Sequence, residues 1–251
     1  MQYWAIFMPF TKKEIPQLLE NLKKILLITP VFWGKPDLVL TYHRNHLINE
    51  EEITNELKAL ENKTIFDKIF IEYADLNDED DVYNRNINHS GPNNLFFKMI
   101  DLAKNKNYTK ITVLETDCQI LKPTWLEDLY QEQHKMTLKE WICGSPLYFP
   151  LFNNYTIKTI ALIKYHINGN ATYNLQHPFF LETIEKLKKK TIIDQNKGFV
   201  VSYDIGFLKF FLDHRYQFYK NIQVSKCICS CCPLEWAKEK GFSIIHKPTK
   251  N

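Results

Sequence analysis

Apolar positions along the first half of the chain switch repeatedly between two spacings. Tyr3 to Phe10 is a short apolar run, and Leu18, Leu19, Leu22, Ile25 and Leu26 then recur at helical spacing. That order predicts a strand followed by a helix. Between them Thr11 and Glu14 bracket Lys12 and Lys13 as a capping box. Asp37 to Tyr42 is a second strand, and Asn49 stands where it can cap a helix whose first turn carries Glu50, Glu51 and Glu52, the sign a helix N-terminus favours. Lys68 to Glu72 predicts a third strand. A polar, acidic segment from Asp75 to His89 crosses the surface. Pro92 then opens a helix that turns Leu95, Phe96, Met99, Ile100, Leu102 and Ala103 inward, and Ile111 to Leu114 is a fourth strand.

Strands alternating with helices imply βαβ units, hence a mainly parallel sheet covered on both faces. Ligands in such sheets bind beyond the carboxyl ends of the strands. The second half is less regular, with a change of texture near residue 120 and no linker that would mark a domain boundary. Thr124 and Glu127 form a second capping box, starting a helix to about Gln131, and Trp141 to Ser145 reads as strand then turn. A loop-rich stretch contains HINGNATYN, residues 166–174, where Gly169 between Asn168 and Asn170 is a turn signal. Pro178 begins a helix closed by Lys188, Lys189 and Lys190; Asp204 introduces a short helix from Ile205 to Leu212; Phe242 to His246 predicts a terminal strand.

The 251 residues, 45% hydrophobic, suffice for one full α/β core. Thirty-two Lys and Arg against 29 Asp and Glu give a net charge of +3, too slight a bias to predict a nucleic-acid partner. No apolar run is long enough to span a membrane, and the opening MQYWAIFMPFTKKEI lacks the basic start of a signal peptide. A soluble, cytoplasmic protein is the expectation. Cys118, Cys143, Cys227, Cys229, Cys231 and Cys232 are no disulfide scaffold in a chain of this length and are read as reduced, partly buried thiols. A zinc site is not expected, because no second cysteine pair stands at the required distance.

One stretch carries chemistry. VLETDCQ, residues 113–119, delivers the fourth strand into two acids, Glu115 and Asp117. Two residues apart on an extended chain point to the same side, roughly 6.6 Å apart, so their oxygens can converge on one cation. All-oxygen donors suit Mg²⁺ or Mn²⁺, ions that share their coordination with substrate phosphates. By itself an E-x-D triplet is common, and two acids at a solvated strand end explain it equally well.

The surrounding residues change that balance. GPNNLFFKMIDLAKNKNYTKITVLETDCQILKPTWLEDL (91–129), ICGSPLYFP (142–150), HINGNATYN (166–174) and SYDIGFLKFFL (202–212) resemble the nucleotide-sugar glycosyltransferases of the GT-A fold. Their D-x-D metal motif follows the fourth strand of a Rossmann-like half. The resemblance extends loosely to glycosyltransferases of large DNA viruses, which would put the protein in the host cytoplasm. It implies a single GT-A domain, an α/β fold with a mixed, mainly parallel sheet flanked by helices. Residues 1–120 would form its nucleotide-binding half and 121–251 its acceptor side.

The implied activity is metal-dependent transfer of a hexose-type sugar from a nucleoside diphosphate donor, a UDP- or GDP-sugar, to a glycan or other hydroxyl acceptor. Asp117 and Glu115 would hold Mn²⁺ or Mg²⁺, with His246 near the C-terminus completing the site and Lys247 beside it on phosphate. The ETD triplet departs from strict D-x-D, which makes Asp117 the surer ligand. Asp204, also an apt helix cap, would be the base of an inverting displacement. His166, Asn168, Gly169 and Asn170, with Gly144 and Ser145, would meet donor sugar and acceptor. Pro9, Phe10, Thr11 and Asp75 would hold base and ribose, with Asn94 and Lys98 reaching the nucleotide or its phosphates. Two other readings stay open: a sugar-phosphate nucleotidylyltransferase, although MPFTKK lacks that enzyme's glycine-rich loop, and a non-catalytic sugar or nucleotide reader. A glycosidase is disfavoured because its two carboxylates flank the bond from opposed faces, about 5 Å or more apart.

Overall fold

The computed structural model describes residues 3–26, 34–42, 50–62, 65–77, 79–80, 91–146, 167–196, 202–207 and 222–246. Asn49, His166, Lys247, most of the acidic segment before His89 and the end of the predicted 205–212 helix lie outside them. Strands β1 (Trp4–Phe10), β2 (Asp37–Tyr42), β3 (Ile69–Tyr73) and β4 (Lys110–Val113) alternate with helices α1 (Ile15–Leu26), α2 (Glu50–Asn62) and α3 (Gly91–Asn105), as the hydrophobic spacing predicts. The Thr11–Glu14 box forms: the Glu14 carboxylate accepts the Thr11 backbone N–H at 2.7 Å and its hydroxyl at 2.8 Å.

These four strands are parallel and run in the order β3-β2-β1-β4. The sheet continues through β7 (Ile167–Asn174), β6 (Ile142–Pro146) and β8 (Ile222–Val224). β7 runs against both its neighbours, while β8 is parallel to β6. Successive strands are added first on one side of β1, as β2 and β3, and then on the other, as β4, and this switch in strand order opens a crevice beyond the carboxyl ends of β1 and β4. Side chains of β1 alternate between two cores. Trp4, Ile6, Met8 and Phe10 pack with Leu18 and Leu22 of α1 and with Trp125 and Leu129 of α4 (Trp125–Lys135). Ala5 and Phe7 pack with Phe96 and Ile100 of α3 and with Phe180 and Ile184 of α5 (Pro178–Asn196). Both faces are therefore covered, as a largely parallel sheet requires.

A second, three-stranded sheet holds β10 (Ile244–His246) between β5 (Cys118–Ile120), antiparallel, and β9 (Ile228–Ser230), parallel. A short helix α6 (Leu234–Glu239) joins β9 to β10. Among the described residues no helix is long and apolar enough to cross a membrane.

Several local expectations change. HINGNATYN is not a turn: from Ile167 it is β7, a strand inside the large sheet. Its polar residues find partners within the protein, the Thr172 hydroxyl with that of Thr112 at 2.8 Å and the Asn174 amide with the carbonyls of Thr137 and Glu140 at 3.0 and 2.9 Å. The Thr124 box does not form, since the Thr124 hydroxyl bonds Asp128 at 3.2 Å, and α4 runs on to Lys135. Lys188 to Lys190 do not close α5, which continues to Asn196. Lys188 there reaches Asp101 at 2.8 Å, and Lys190 reaches Asp194 at 2.8 Å. The sulfurs of Cys229 and Cys232 lie in contact, brought together by β9 and the turn after it, and Cys118, Cys143, Cys227 and Cys231 are thiols.

Candidate functional site

β4 ends at Val113, and the Leu114 N–H still bonds the Phe7 carbonyl at 2.9 Å. The chain then turns, with the Cys118 N–H on the Glu115 carbonyl at 3.0 Å. Buried Asn21 of α1 secures this turn from below, donating to the carbonyls of Thr116 and Cys118 at 2.6 and 3.2 Å. Glu115 and Asp117 are thereby aimed away from the core, their side chains 40% and 41% exposed.

The third member arrives from the far end of the chain. Register in the small sheet sets His246 opposite Cys118, so its buried imidazole meets both acids. His246 Nε2 lies 2.9 Å from Glu115 Oε2 and 3.1 Å from Asp117 Oδ1. Ligand atoms of the three residues all fall within 4.8 Å of one another. Burial lowers the His246 pKa, but the carboxylates of Asp117 and Glu115 more than reverse it, so it stands above its ordinary value. Among the described residues Nδ1 finds no hydrogen-bond partner, while Nε2 faces both carboxylates. An imidazole nitrogen and two carboxylates converging in this way fit a site that can hold a cation. Two oxygen donors and one imidazole suit Mn²⁺, and Mg²⁺ as well where water and phosphate complete the shell.

Glu115 and Asp117 also line a cavity of about 360 Å³. It is also lined by the end of β1 and the turn after it, Pro9, Phe10, Thr11, Lys13 and Glu14, and by Leu95, Phe96 and Met99 of α3 with Tyr203. The ring of Tyr203 lies parallel to that of Phe96 at 3.8 Å, and its backbone N–H is fixed by Asn93 at 2.7 Å. Burial pushes the phenols of Tyr203 and Tyr173 well up; the charges of Glu115 and Asp204 add to this.

The candidates drawn from sequence thus separate into groups. Pro9, Phe10, Thr11, Glu115 and Asp117 come together around one cavity, with His246 against the two acids. Asn94 and Lys98 instead line a different hollow of about 230 Å³ beside Asp101 and Lys188, and the Asn94 amide bonds the Asp80 carbonyl at 2.9 Å. Asp75 is exposed just past β3 with a positive φ of 50°. Gly144 packs on Ile167 and Ala171, and the Ser145 hydroxyl accepts the Ser230 N–H at 3.0 Å. Asp204 accepts the Ile205 N–H at 2.8 Å and the hydroxyl of Ser202, at the start of the helical residues 203–207. Asn170 is buried against Glu115. His166 and Lys247 lie outside the described residues, as does the side chain of Asn168.

Lys13 and Tyr203 are cavity residues that sequence reasoning missed. Lys13 was visible only as the interior of a capping box, yet its place directly after the first strand was a usable signal.

No protein-family model matches the chain, and no curated protein matches it in sequence. Solved structures do match in shape. Apo mouse xyloside xylosyltransferase 1 superposes with a TM-score of 0.58 at 12% identity, over 97% of this chain and 96% of that one. The fold is the GT-A glycosyltransferase fold. The apo bifunctional glycosyltransferase WbbM gives 0.61 at 10% identity; the match covers 100% of this chain but only 46% of that one. Glucosyl-3-phosphoglycerate synthase from Mycobacterium tuberculosis, in complex with Mn²⁺, uridine diphosphate and glucosyl-3-phosphoglycerate, gives 0.50 at 10% identity, over 89% and 69%. The carboxylate-histidine cluster sits just past β4, where the run of parallel strands meets antiparallel β7.

Proposed function

We propose that this protein is a metal-dependent glycosyltransferase that moves a hexose-type sugar from a nucleoside diphosphate sugar to a hydroxyl acceptor with inversion. The observation that carries the reading is the convergence of Glu115, Asp117 and His246 at the end of β4, beside a cavity that the end of β1 also lines. Two carboxylates on an open hollow, with a buried imidazole against them, resemble a cation site that shares its coordination with a phosphorylated ligand. A closed structural site would leave no such access. UDP is the favoured nucleotide, because a structure of the same fold holds it together with Mn²⁺.

Asp117, Glu115 and His246 would hold the ion, which when bound supplies positive charge to the diphosphate as the bond to the sugar breaks. Lys13, which lines the same cavity, would add a second positive charge for the phosphates. Phe10, Leu95, Phe96 and Met99 make one side of the cavity apolar, which excludes water from the donor and strengthens these charges. Asp204 is our choice for the base. It would take the proton of the acceptor hydroxyl as that oxygen bonds the anomeric carbon and the nucleoside diphosphate departs from the other face.

The test is thermal stabilisation by a panel of UDP-, GDP- and dTDP-sugars with and without Mn²⁺, followed by turnover with the stabilising donor. A ligand that binds the native state raises its melting temperature. Stabilisation by one nucleotide family that depends on metal, with release of the nucleoside diphosphate, is expected. Metal-independent binding without turnover would leave a sugar or nucleotide reader in its place.

A further inference from the structure

Asn170 sits where the large sheet meets the metal turn. β7 pairs with β4 so that Thr172 faces Thr112; continuing that register puts Asn170 opposite Leu114, one residue from Glu115. Its side chain is wholly buried. The side-chain carbonyl accepts the Glu115 backbone N–H at 2.6 Å and the Cys118 thiol at 3.2 Å, while the amide donates to Glu115 Oε2 at 3.0 Å. One buried amide thus grips Glu115 at both its backbone and its carboxylate, and also grips the residue that closes the turn. The oxygen it holds, Oε2, is the same one that lies 2.9 Å from His246 Nε2.

We infer that Asn170 is a positioning residue that holds Glu115 in its cation-ligating conformation; the inference rests on the proposed metal reading of the site. Its physical basis is the length of glutamate. Compared with aspartate, Glu115 has one more rotatable bond, and at 40% side-chain exposure nothing in solvent would confine it. Ordering it only when the ion arrives would subtract side-chain entropy from binding. A hydrogen bond to the oxygen facing His246 removes that freedom beforehand, as partners behind metal ligands do elsewhere. This accounts for an E-x-D triplet working where a shorter acid is usual. It also gives the asparagine after Gly169 a role in the protein itself.

Mn²⁺ affinity, read from the electron paramagnetic resonance of the free ion, tests this without any turnover. Asn170→Ala is expected to weaken Mn²⁺ binding about 10–100-fold. In a Glu115→Ala background the same change should cost little more, because Asn170 acts through Glu115 and the two losses then fail to add. Asn170→Ser, which keeps an oxygen for the Glu115 N–H but has no amide donor, should show the same loss and serves if Asn170→Ala does not fold. Wild-type Mn²⁺ affinity in both Asn170 variants, or fully additive losses in the double variant, would overturn the inference alone. A wild-type protein that binds no Mn²⁺, or binds it undiminished after Asp117→Ala, would overturn the metal reading and this inference with it.

Discussion

The hydroxyl of Tyr203 occupies the place where a side chain at Gly169 would begin: a Cβ built on Gly169 would stand 2.0 Å from it and 2.9 Å from the ring carbon that bears it. The glycine in the middle of β7 is thus there to let Tyr203 lie close against the sheet. Gly169→Ala should destabilise the protein by about 1–3 kcal/mol through overpacking. Tyr203→Phe in the same chain should recover part of that loss, because it removes the nearest atom. Urea unfolding of the two single variants and the double variant checks both. Equal stability of Gly169→Ala and wild type would show that Tyr203 has room to retreat.

Asp117 is the ligand on which the proposed reaction depends most. Its side chain is 41% exposed in the turn between β4 and β5 and touches His246 there, so Asp117→Ala should fold, losing only that contact. Turnover with the stabilising donor should fall by at least about 10²–10³-fold, the scale for losing charge stabilisation at a reacting phosphate. A preserved rate at saturating donor and Mn²⁺ contradicts the assignment.

His177 provides a pH dependence outside the site. It is buried beside Trp141, and its Nδ1 accepts the Phe179 N–H at 3.2 Å. Burial holds its pKa below the ordinary value, with the Lys139 backbone and the Glu140 charge opposing this only in part. The unfolded chain therefore binds the proton more readily, near pH 6.5, than the folded one does. The stabilisation is complete above about pH 6.5 and is lost as pH falls through the lower folded value. Between pH 7.5 and 5, His177→Asn, which keeps the acceptor without the titration, should lose less unfolding free energy than wild type does. Identical slopes would exclude His177 as a source.

Lys110 lies in β4 with its side chain buried, and Nζ donates to the carbonyls of Gln133 and Met136 at 2.5 and 2.9 Å. It thereby caps the C-terminal end of α4, where a positive charge is favoured, and burial lowers its pKa. Lys110→Met keeps the volume but strips two buried carbonyls of their donor. A loss of about 1–3 kcal/mol is expected. An unchanged unfolding midpoint would mean that water replaces the amine.

Much of the first half was legible because its signals are local. Period-two and helical spacing mark β1 to β4, α1 and α3; the Thr11–Glu14 box is satisfied within four residues; and an acid pair at the end of a parallel strand locates the crevice before any coordinates do. The second half depended on partners that local rules do not see. Gly169 between two asparagines reads as a turn, yet Thr112, Thr137, Glu140 and Glu115 take up the polar groups of β7 and make it a strand of the large sheet. Likewise Lys188 in α5 pairs with Asp101 of α3, a partner distant in sequence.

The chain's own pattern decided that the carboxylates stand just past a strand end, although a turn over residues 115–118, not the expected extended spacing, brings them together. Only the folded chain decided what meets them. His246 reaches Glu115 and Asp117 through pairing of β10 with β5, and Asn170 reaches Glu115 through pairing of β7 with β4. Strand register across a long stretch of chain is set by the packing of two cores rather than by any local preference, and that is why the acids were readable from their own neighbourhood, His246 only through the family resemblance, and the grip of Asn170 on Glu115 not at all.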